Sequence, residues 1–81
     1  MSVFNLEILL PDKKIFAGEI ISLNVPAEDG RLGILAHHAP LVSVLKKGEL
    51  QAKLKDGKNY SYELDSGILR VENNCAQVFT G

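Results

Sequence analysis

The sequence predicts an all-β domain, on three observations. Apolar and polar residues alternate with period two over much of the chain, which is the repeat of a half-buried strand. Turn-forming pairs such as Asp56-Gly57 and Asn73-Asn74 separate these segments at short intervals. No segment combines a helical apolar repeat with capping residues. Short strands joined by tight turns are typical of a flattened β-sandwich or barrel.

The alternating segments follow one another along the chain. The apolar residues predicted to face inward are, in order, Phe4, Leu6, Ile8 and Leu10; Ile21, Leu23 and Val25; Leu50, Ala52 and Leu54; Tyr60, Tyr62 and Leu64; Leu69 and Val71; and Ala76 and Val78. Asp56-Gly57 predicts a two-residue hairpin turn, because such a turn needs positive φ. Asn73-Asn74 predicts a second hairpin, since asparagine tolerates the left-handed conformation.

Some segments also carry apolar residues on their second face. Val3 and Leu9 lie opposite the main stripe of the first strand, and the residues from Leu41 to Leu45 form a nearly continuous apolar run. A sandwich strand needs only one buried face. The extra apolar residues therefore predict either a covering loop or a surface that docks on another protein. We hypothesise that Val42 or Val44 packs inward while Leu41 reaches a partner.

Length and composition restrict the class of protein. The 81 residues predict one domain, residues 1–81. The formal net charge of -1 argues against nucleic-acid binding, which usually needs a basic excess. The single cysteine excludes an internal disulfide. No signal peptide or apolar run long enough to cross a bilayer is present, so we expect an intracellular protein whose only membrane link comes through a partner.

Two short motifs contain residue types that are used in catalysis or in phosphate binding. His37-His38 lacks the companion residues of a catalytic triad or a metal site. On an extended segment the two rings would point to opposite faces, so we expect one imidazole to bond the backbone and the other to lie at the surface. The glycines from Asp29 to Gly33 predict a tight turn, because no capped helix follows as in a phosphate loop. We expect no catalytic, metal-binding or cofactor-binding residues; a small hydrolase using His37 or His38 is the weakest hypothesis.

A lysine pair gives an alternative function. Lys46-Lys47-Gly48 stands at a turn within an all-β chain. Biotinyl and lipoyl carrier domains are similarly small and present one lysine at a hairpin tip for attachment of the cofactor. The flanking residues here differ from those of such domains. A carrier domain modified on Lys46 or Lys47 is therefore the alternative hypothesis.

The stretch from Asp29 to Leu41, Asp-Gly-Arg-Leu-Gly-Ile-Leu-Ala-His-His-Ala-Pro-Leu, resembles the signature of the ATP synthase epsilon subunit family. That family typically has a Gly-Ile pair followed a few residues later by His-Ala-Pro. Further similar segments are Phe16-Ala17-Gly18, Val25 to Gly30, Lys47 to Leu50 and Ser66 to Val71. The resemblance covers essentially the whole chain.

The resemblance implies a flattened sandwich of about ten short strands and a mechanical role. Domains of this family form the foot of the rotating central stalk, between the gamma subunit and the loops of the proteolipid ring. They make no bond and break none, and they help proton-driven rotation reach the catalytic head, which they contact only indirectly. The resemblance thus implies a peripheral location at the cytoplasmic face of the membrane, within the ATP synthase complex.

The resemblance also implies two interfaces. The residues that match the family's ring-facing loop are Glu28, Asp29, Gly30 and Arg31, and those that match its gamma-facing segment are His38, Ala39, Pro40 and Leu41. Many members carry an acidic or polar residue where this chain has Arg31, so the resemblance implies the general placement of this loop but not its individual ring contacts. Many members also continue into a C-terminal helical hairpin. Since this sequence stops at Gly81, we expect either a naturally short member or a sequence cut at the domain boundary.

Overall fold

The computed structural model describes residues 2–81 and contains eight strands. They are β1 (Phe4–Leu9), β2 (Lys14–Ala27), β3 (Gly30–Ile34), β4 (Leu41–Leu45), β5 (Gly48–Leu54), β6 (Asn59–Leu64), β7 (Gly67–Glu72) and β8 (Cys75–Thr80). No helix occurs in this part of the chain. The all-β prediction is confirmed, with eight strands in place of about ten.

The strands close around one core. Neighbouring strands follow the order β1-β8-β7-β4-β2, and β1 also pairs with β2, so five strands form a closed ring. The strands β5 and β6 extend from β2 on one side, while β3 pairs with β2 alone. The side chains that fill the interior are Phe4, Leu6, Ile8, Ile20, Leu23, Val25, Ala27, Ile34, Leu45, Leu50, Ala52, Leu64, Leu69, Val71, Ala76 and Val78. Ring closure shields this core, while β3 and β6 each keep one unpaired edge.

The long strand β2 contains a bulge that changes which residues face inward. Ile20 pairs with both β1 and β5, and Leu23 pairs with both β3 and β5. Between Ile20 and Ser22 the register with β5 shifts. An extra residue at a bulge breaks the alternation; Ile20 is therefore fully buried while Ile21 is half-buried. The prediction of Ile21 as a core residue is wrong for this reason.

Both predicted hairpins are present, and one has a different turn. Asn73 and Asn74 have φ of 53° and 58°, as a two-residue turn between β7 and β8 requires. At the β5–β6 hairpin the N–H of Gly57 donates to the carbonyl of Leu54 at 2.9 Å, and the N–H of Leu54 donates to the carbonyl of Lys58 at 2.7 Å. This is a three-residue loop closed by Gly57 with φ 91°, not the two-residue turn predicted.

The residues of β4 that face the core are not those of the hypothesis, in which Val42 or Val44 packs inward and Leu41 reaches a partner. Val42 and Val44 are 70% and 50% exposed, whereas Leu45 is 2% exposed and Leu41 is half-buried. Pairing with β7 explains this phase, because Leu41 lies opposite the buried Val71 and directly paired residues share a face of the sheet. Val42 and Val44 therefore face outward, and Leu41 packs against the core.

Candidate functional site

The four residues that match a ring-facing loop lie together where β2 turns into β3. Glu28 and Asp29 form the turn and are exposed, and Gly30 begins β3 with φ 127°. Arg31 is the second residue of β3 and pairs with Pro26 of β2. The structure thus brings these residues together at one turn, although Arg31 belongs to the strand.

The Arg31 side chain is directed along β2, toward Asn24. Its Nε donates to Oδ1 of Asn24 at 2.5 Å, and an NH group donates to the Asn24 carbonyl at 3.4 Å. The ion pairs found within residues 2–81 involve neither Glu28 nor Asp29. The tip of the turn consequently presents two solvated carboxylates, with the guanidinium held to one side.

Backbone hydrogen bonds join this turn to β4. The N–H of Glu28 donates to the carbonyl of Val44 at 3.2 Å, and the N–H of Lys46 donates to the carbonyl of Pro26 at 2.8 Å. Ala27 and Leu45 pair between these two bonds. The C-terminal end of β4 is thus fastened to the base of the acidic turn.

The segment that matches a gamma-facing surface enters β4 at its other end. Ala39 and Pro40 are exposed, His38 is half-buried, and Leu41 is the first residue of β4. A strand spans about 3.3 Å per residue, so the five residues of β4 separate the two candidate surfaces by about 13 Å. One short strand therefore connects the two sets of predicted residues.

The two histidines have different surroundings, as expected, but the segment is a turn rather than extended. His37 has φ 63° and its side chain is exposed. The Nδ1 atom of His38 lies 2.7 Å from the Ala39 carbonyl. The N–H of His37 donates to Oδ1 of Asn74 at 2.7 Å. The His38 ring therefore contacts the backbone, and the bend at His37 places the other imidazole in solvent.

An exposed apolar row crosses the sheet near the C-terminal end of β4. Val44 of β4 lies opposite Ile68 of β7, which lies opposite Phe79 of β8. These side chains are 50%, 46% and 42% exposed, and the half-buried Leu9 of β1 is the next register partner, opposite Phe79. We call these four residues the apolar row. A contiguous apolar surface of this kind marks a docking site more often than scattered apolar residues do.

Sequence reasoning missed half of the apolar row. The sequence assigned Leu9 to the second face and placed Val44 in the apolar run from Leu41 to Leu45, but neither Ile68 nor Phe79 was named. The signal was present: each is an apolar residue out of phase with the buried pair on its own strand, Leu69 and Val71 or Ala76 and Val78. Only the register, however, shows that the four side chains are neighbours.

Apart from Val42, the next row on the same face is polar. Val42, Arg70, Gln77 and Glu7 are successive register partners across β4, β7, β8 and β1. Lys14 Nζ lies 2.8 Å from Glu7 Oε2, and Gln77 Nε2 donates to Glu7 Oε1 at 3.0 Å. The hydrogen bond from Lys14, followed by that from Gln77, lowers the pKa of Glu7 below its usual 4.5. The apolar row is thus bordered by a polar row, as in the rim of a protein interface.

The remaining titratable groups form no recognised chemical site. Among residues 2–81 no three of the His, Cys, Asp and Glu side chains lie close enough together to hold a metal ion. Burial, with a smaller contribution from Glu7, raises the pKa of the half-buried Cys75 thiol, which lowers its thiolate fraction. No helix capable of spanning a bilayer is found in the part of the chain that the structure describes.

The Lys46-Lys47 turn is not a hairpin tip. It joins β4 to β5, which are not neighbours in the sheet because each pairs with β2 and with a different second partner. The Lys46 N–H is moreover bonded to the Pro26 carbonyl. A carrier domain presents its lysine between two directly paired strands, and this geometry is missing at Lys46 and Lys47.

Comparison with known proteins identifies relatives over almost the whole chain. The ATP synthase epsilon chain of a Nitratiruptor species is 40% identical over 76 residues, which are 94% of this chain and 59% of the relative. The ATP synthase epsilon chain of Chlorobium limicola is 36% identical over 77 residues, 95% of this chain and 88% of the relative. The chain therefore spans about three fifths of the first relative's length and most of the second's.

Solved structures share the fold at lower identity. A chain of the Euglena gracilis mitochondrial ATP synthase, from a structure of its OSCP, F1 and c-ring, superposes with a TM-score of 0.91 at 22% identity, covering 99% of this chain and 51% of that one. A chain from the central stalk and c-ring of the Tetrahymena thermophila mitochondrial ATP synthase gives 0.75 at 17% identity, with 94% and 61% covered.

The sequence model of one family spans nearly all of the protein. It is the ATP synthase delta/epsilon chain β-sandwich domain, and it matches residues 3–81. The match includes both candidate surfaces and every strand of the structure. The chain therefore belongs to the ATP synthase delta/epsilon chain family, whose β-sandwich domain it contains.

Proposed function

We propose that the protein is a non-catalytic subunit of the central stalk, or rotor, of an ATP synthase. In this role it links the gamma subunit to the proteolipid ring and helps to couple proton flow to ATP synthesis. It contacts the catalytic head only through the stalk and is peripheral, at the cytoplasmic face of the membrane. Relatives that are ATP synthase epsilon chains support the proposal, as does fold similarity to chains from assemblies that contain F1, the central stalk or the c-ring.

The proposed gamma contact rests on one observation, the exposed apolar surface around β4. The segment from His38 to Leu41 leads into a strand whose outward residues, Val42 and Val44, are exposed. Val44 continues into the apolar row. A docking surface needs an apolar centre with a polar margin, and this face of the sheet has both. His38, Ala39, Pro40 and Leu41 form one end of the proposed gamma-facing surface. The apolar row forms its apolar part, and the row that contains Val42 lies between the two.

The acidic turn is the proposed contact with the ring. Glu28 and Asp29 are exposed, and Arg31 is hydrogen-bonded to Asn24. A turn with two solvated carboxylates suits polar or basic loops, because opposite charges favour the correct docking partner. Gly30 at the start of β3 completes the turn. Glu28, Asp29, Gly30 and Arg31 therefore form the proposed ring-facing surface.

The fold suits the transmission of torque between these two surfaces. The acidic turn is bonded to β4 through the Glu28 and Lys46 amides, and β4 begins at the proposed gamma-facing segment. Interiors packed at crystal-like density transmit strain rather than absorb it. In this role, force applied at the acidic turn passes along the hydrogen-bonded strand β4 to the start of the proposed gamma-facing segment.

A charge placed on β4 tests the gamma contact. We expect Val44→Asp, which lies opposite the apolar Ile68, to weaken binding to the cognate gamma subunit by at least about tenfold, since an unpaired charge is costly to desolvate at an interface. Ser61→Asp adds the same charge to an exposed position of the edge strand β6 and is the matched control. Isothermal titration with purified gamma is the measurement. Equal affinities for the two variants and the unaltered protein would contradict the proposed surface.

Removal of the two carboxylates tests the ring contact. The double variant Glu28→Gln/Asp29→Asn should bind detergent-solubilised proteolipid ring more weakly, and its affinity should depend less on salt. Glu49→Gln/Glu63→Gln is the control, because it removes the same two charges from exposed, directly paired residues of β5 and β6. If the control variant loses as much affinity as the first, general charge and not the acidic turn accounts for binding.

A further inference from the structure

Asn74 joins three separate parts of the chain. Its side-chain Oδ1 accepts the N–H of His37 at 2.7 Å, and its Nδ2 donates to the carbonyl of Val3 at 3.0 Å. Its own carbonyl accepts the N–H of Asn5 at 3.2 Å. One residue in the β7–β8 turn thus holds both the beginning of β1 and the bend at His37.

The bond to His37 is the main polar constraint on the segment between β3 and β4, residues 35–40. Within residues 2–81 it is the only hydrogen bond found between this segment and the rest of the chain. His37 has φ 63°, a conformation that costs free energy for a residue other than glycine. Ala36 packs against the core, but packing of one methyl group does not fix the conformation that follows it.

Asparagine suits this position for two reasons. It tolerates the left-handed conformation that the turn requires, with φ 58° at Asn74. Its amide also offers an acceptor and donors on one short side chain, so it can bond His37 and Val3 at once. Asn73 shares the turn, with φ 53°, yet no side-chain hydrogen bond of Asn73 is found in the described part of the chain.

We propose that Asn74 is the positioning residue of the gamma-facing surface. It holds the bend at His37, and thereby presents His38, Ala39 and Pro40 in the conformation that docks. A segment ordered before binding loses less conformational entropy on association. The contribution to gamma binding rests on the proposed function, whereas the constraint on the bend does not.

The first test removes the side-chain bonds and keeps the turn. Asn74→Gly leaves an Asn-Gly sequence, which favours this two-residue turn even more strongly. Hydrogen exchange measured by NMR should show the His37 amide exchanging with solvent about tenfold faster, as expected for the loss of one hydrogen bond. The amides of β5 and β8 should keep their protection from exchange. Asn73→Gly is the matched control and should leave the His37 amide unchanged. Equal His37 exchange in both variants would overturn the proposal.

A second variant separates the acceptor from the rest of the side chain. Asn74→Asp retains an oxygen acceptor for the His37 N–H and tolerates the left-handed conformation. It loses the donor to Val3. We expect it to recover most of the His37 protection that Asn74→Gly loses. If its His37 amide exchanges as fast as in Asn74→Gly, the Asn74–His37 bond is not the constraint and the proposal fails.

Affinity for gamma then tests the docking role. Urea midpoints first establish that both glycine variants are fully folded. Asn74→Gly should then raise the Kd for gamma by about five- to tenfold, and Asn73→Gly should leave it unchanged. An unchanged Kd alongside faster His37 exchange would overturn the docking role of Asn74. If the unaltered protein fails to bind gamma, the proposed function fails instead, and the exchange experiments alone decide whether Asn74 holds the bend.

Discussion

At the scale of single residues, close backbone approach constrains this small fold as much as side-chain packing does. Gly67 begins β7 and lies opposite Thr80 of β8. A Cβ at Gly67 would stand 2.6 Å from the Phe79 carbonyl oxygen, well inside van der Waals contact. Because that oxygen belongs to the backbone, the strand itself would have to move. Glycine is therefore required at this position for reasons of space.

We predict that Gly67→Ala lowers the free energy of unfolding by about 1–3 kcal/mol, the usual cost of an overpacked site. Gly33→Ala is the matched control, because nothing lies within 4 Å of the added Cβ there. Urea denaturation followed by circular dichroism measures both. A control that is as unstable as Gly67→Ala would show that the contact with Phe79 is not the cause, because an alanine without such a contact should if anything stabilise the strand.

At the scale of the element, β4 shows how pairing overrides a sequence pattern. Its residues Leu41, Val42, Val44 and Leu45 are apolar on both faces, so alternation alone does not select the buried one. The register with β7 selects it, by placing Leu41 opposite the buried Val71 and Ser43 opposite the buried Leu69. The strand thus exposes its two valines and buries Leu45.

The register of β4 with β7 predicts that the same substitution has different effects on stability at two neighbouring residues, Val44 and Leu45. Val44→Asp should change the free energy of unfolding by no more than about 1 kcal/mol, the range of strand propensity at an exposed site. Leu45→Asp should destabilise by more than about 3 kcal/mol, because a buried carboxylate there has no partner. Thermal unfolding of the two variants is the measurement. The opposite order would mean that β4 pairs with β7 one residue out of register.

The ends of the elements were predicted more accurately than their contacts. The Asn73-Asn74 pair specifies a two-residue turn because both residues tolerate positive φ. The β5–β6 loop is longer than predicted, since Gly57 closes the loop rather than occupying its centre. The position of the bulge at Ile21 left no such mark in the sequence. Local conformational preference therefore located the turns, and long-range pairing decided the phase of the strands.

At the scale of the whole molecule, one carboxylate connects three strands of the closed ring. Glu7 on β1 accepts from Lys14 on β2 and from Gln77 on β8. These hydrogen bonds, with the charge of Lys14, lower the pKa of Glu7 in the folded protein below 4.5. The folded state therefore favours the ionised form. Its contribution to stability is present above the unfolded pKa and is lost as the pH falls through the lowered folded pKa.

The free energy of unfolding of the unaltered protein should decrease as the pH falls from about 4.5 to the lower pKa of Glu7. We predict that Glu7→Gln makes this decrease smaller. Above that window the variant should be the less stable protein, because it lacks the Lys14 ion pair. Glu63→Gln, an exposed residue of β6, should keep the original pH profile. Urea midpoints measured from about pH 2 to about pH 7 span the window and give the comparison. Parallel profiles for Glu7→Gln and the unaltered protein would show that Glu7 is not responsible.

The class of fold, most of the core and the family could all be predicted without a structure. Alternation follows from the pleat of a strand and is local, as are the turn preferences of Asp-Gly and Asn-Asn. The signature from Asp29 to Leu41 is likewise contiguous, so it can be recognised along the chain. These features need no knowledge of which strands pair.

The surfaces of the molecule, in contrast, depend on its tertiary structure. Val44, Ile68 and Phe79 are distant in sequence and become one row only because β4, β7 and β8 pair in a particular register. Asn74 reaches His37 across 37 positions of the chain because ring closure brings the β7–β8 turn beside the bend. Hydrogen bonding between strands is long-range, and each strand's own residues specify its pattern but not its neighbour.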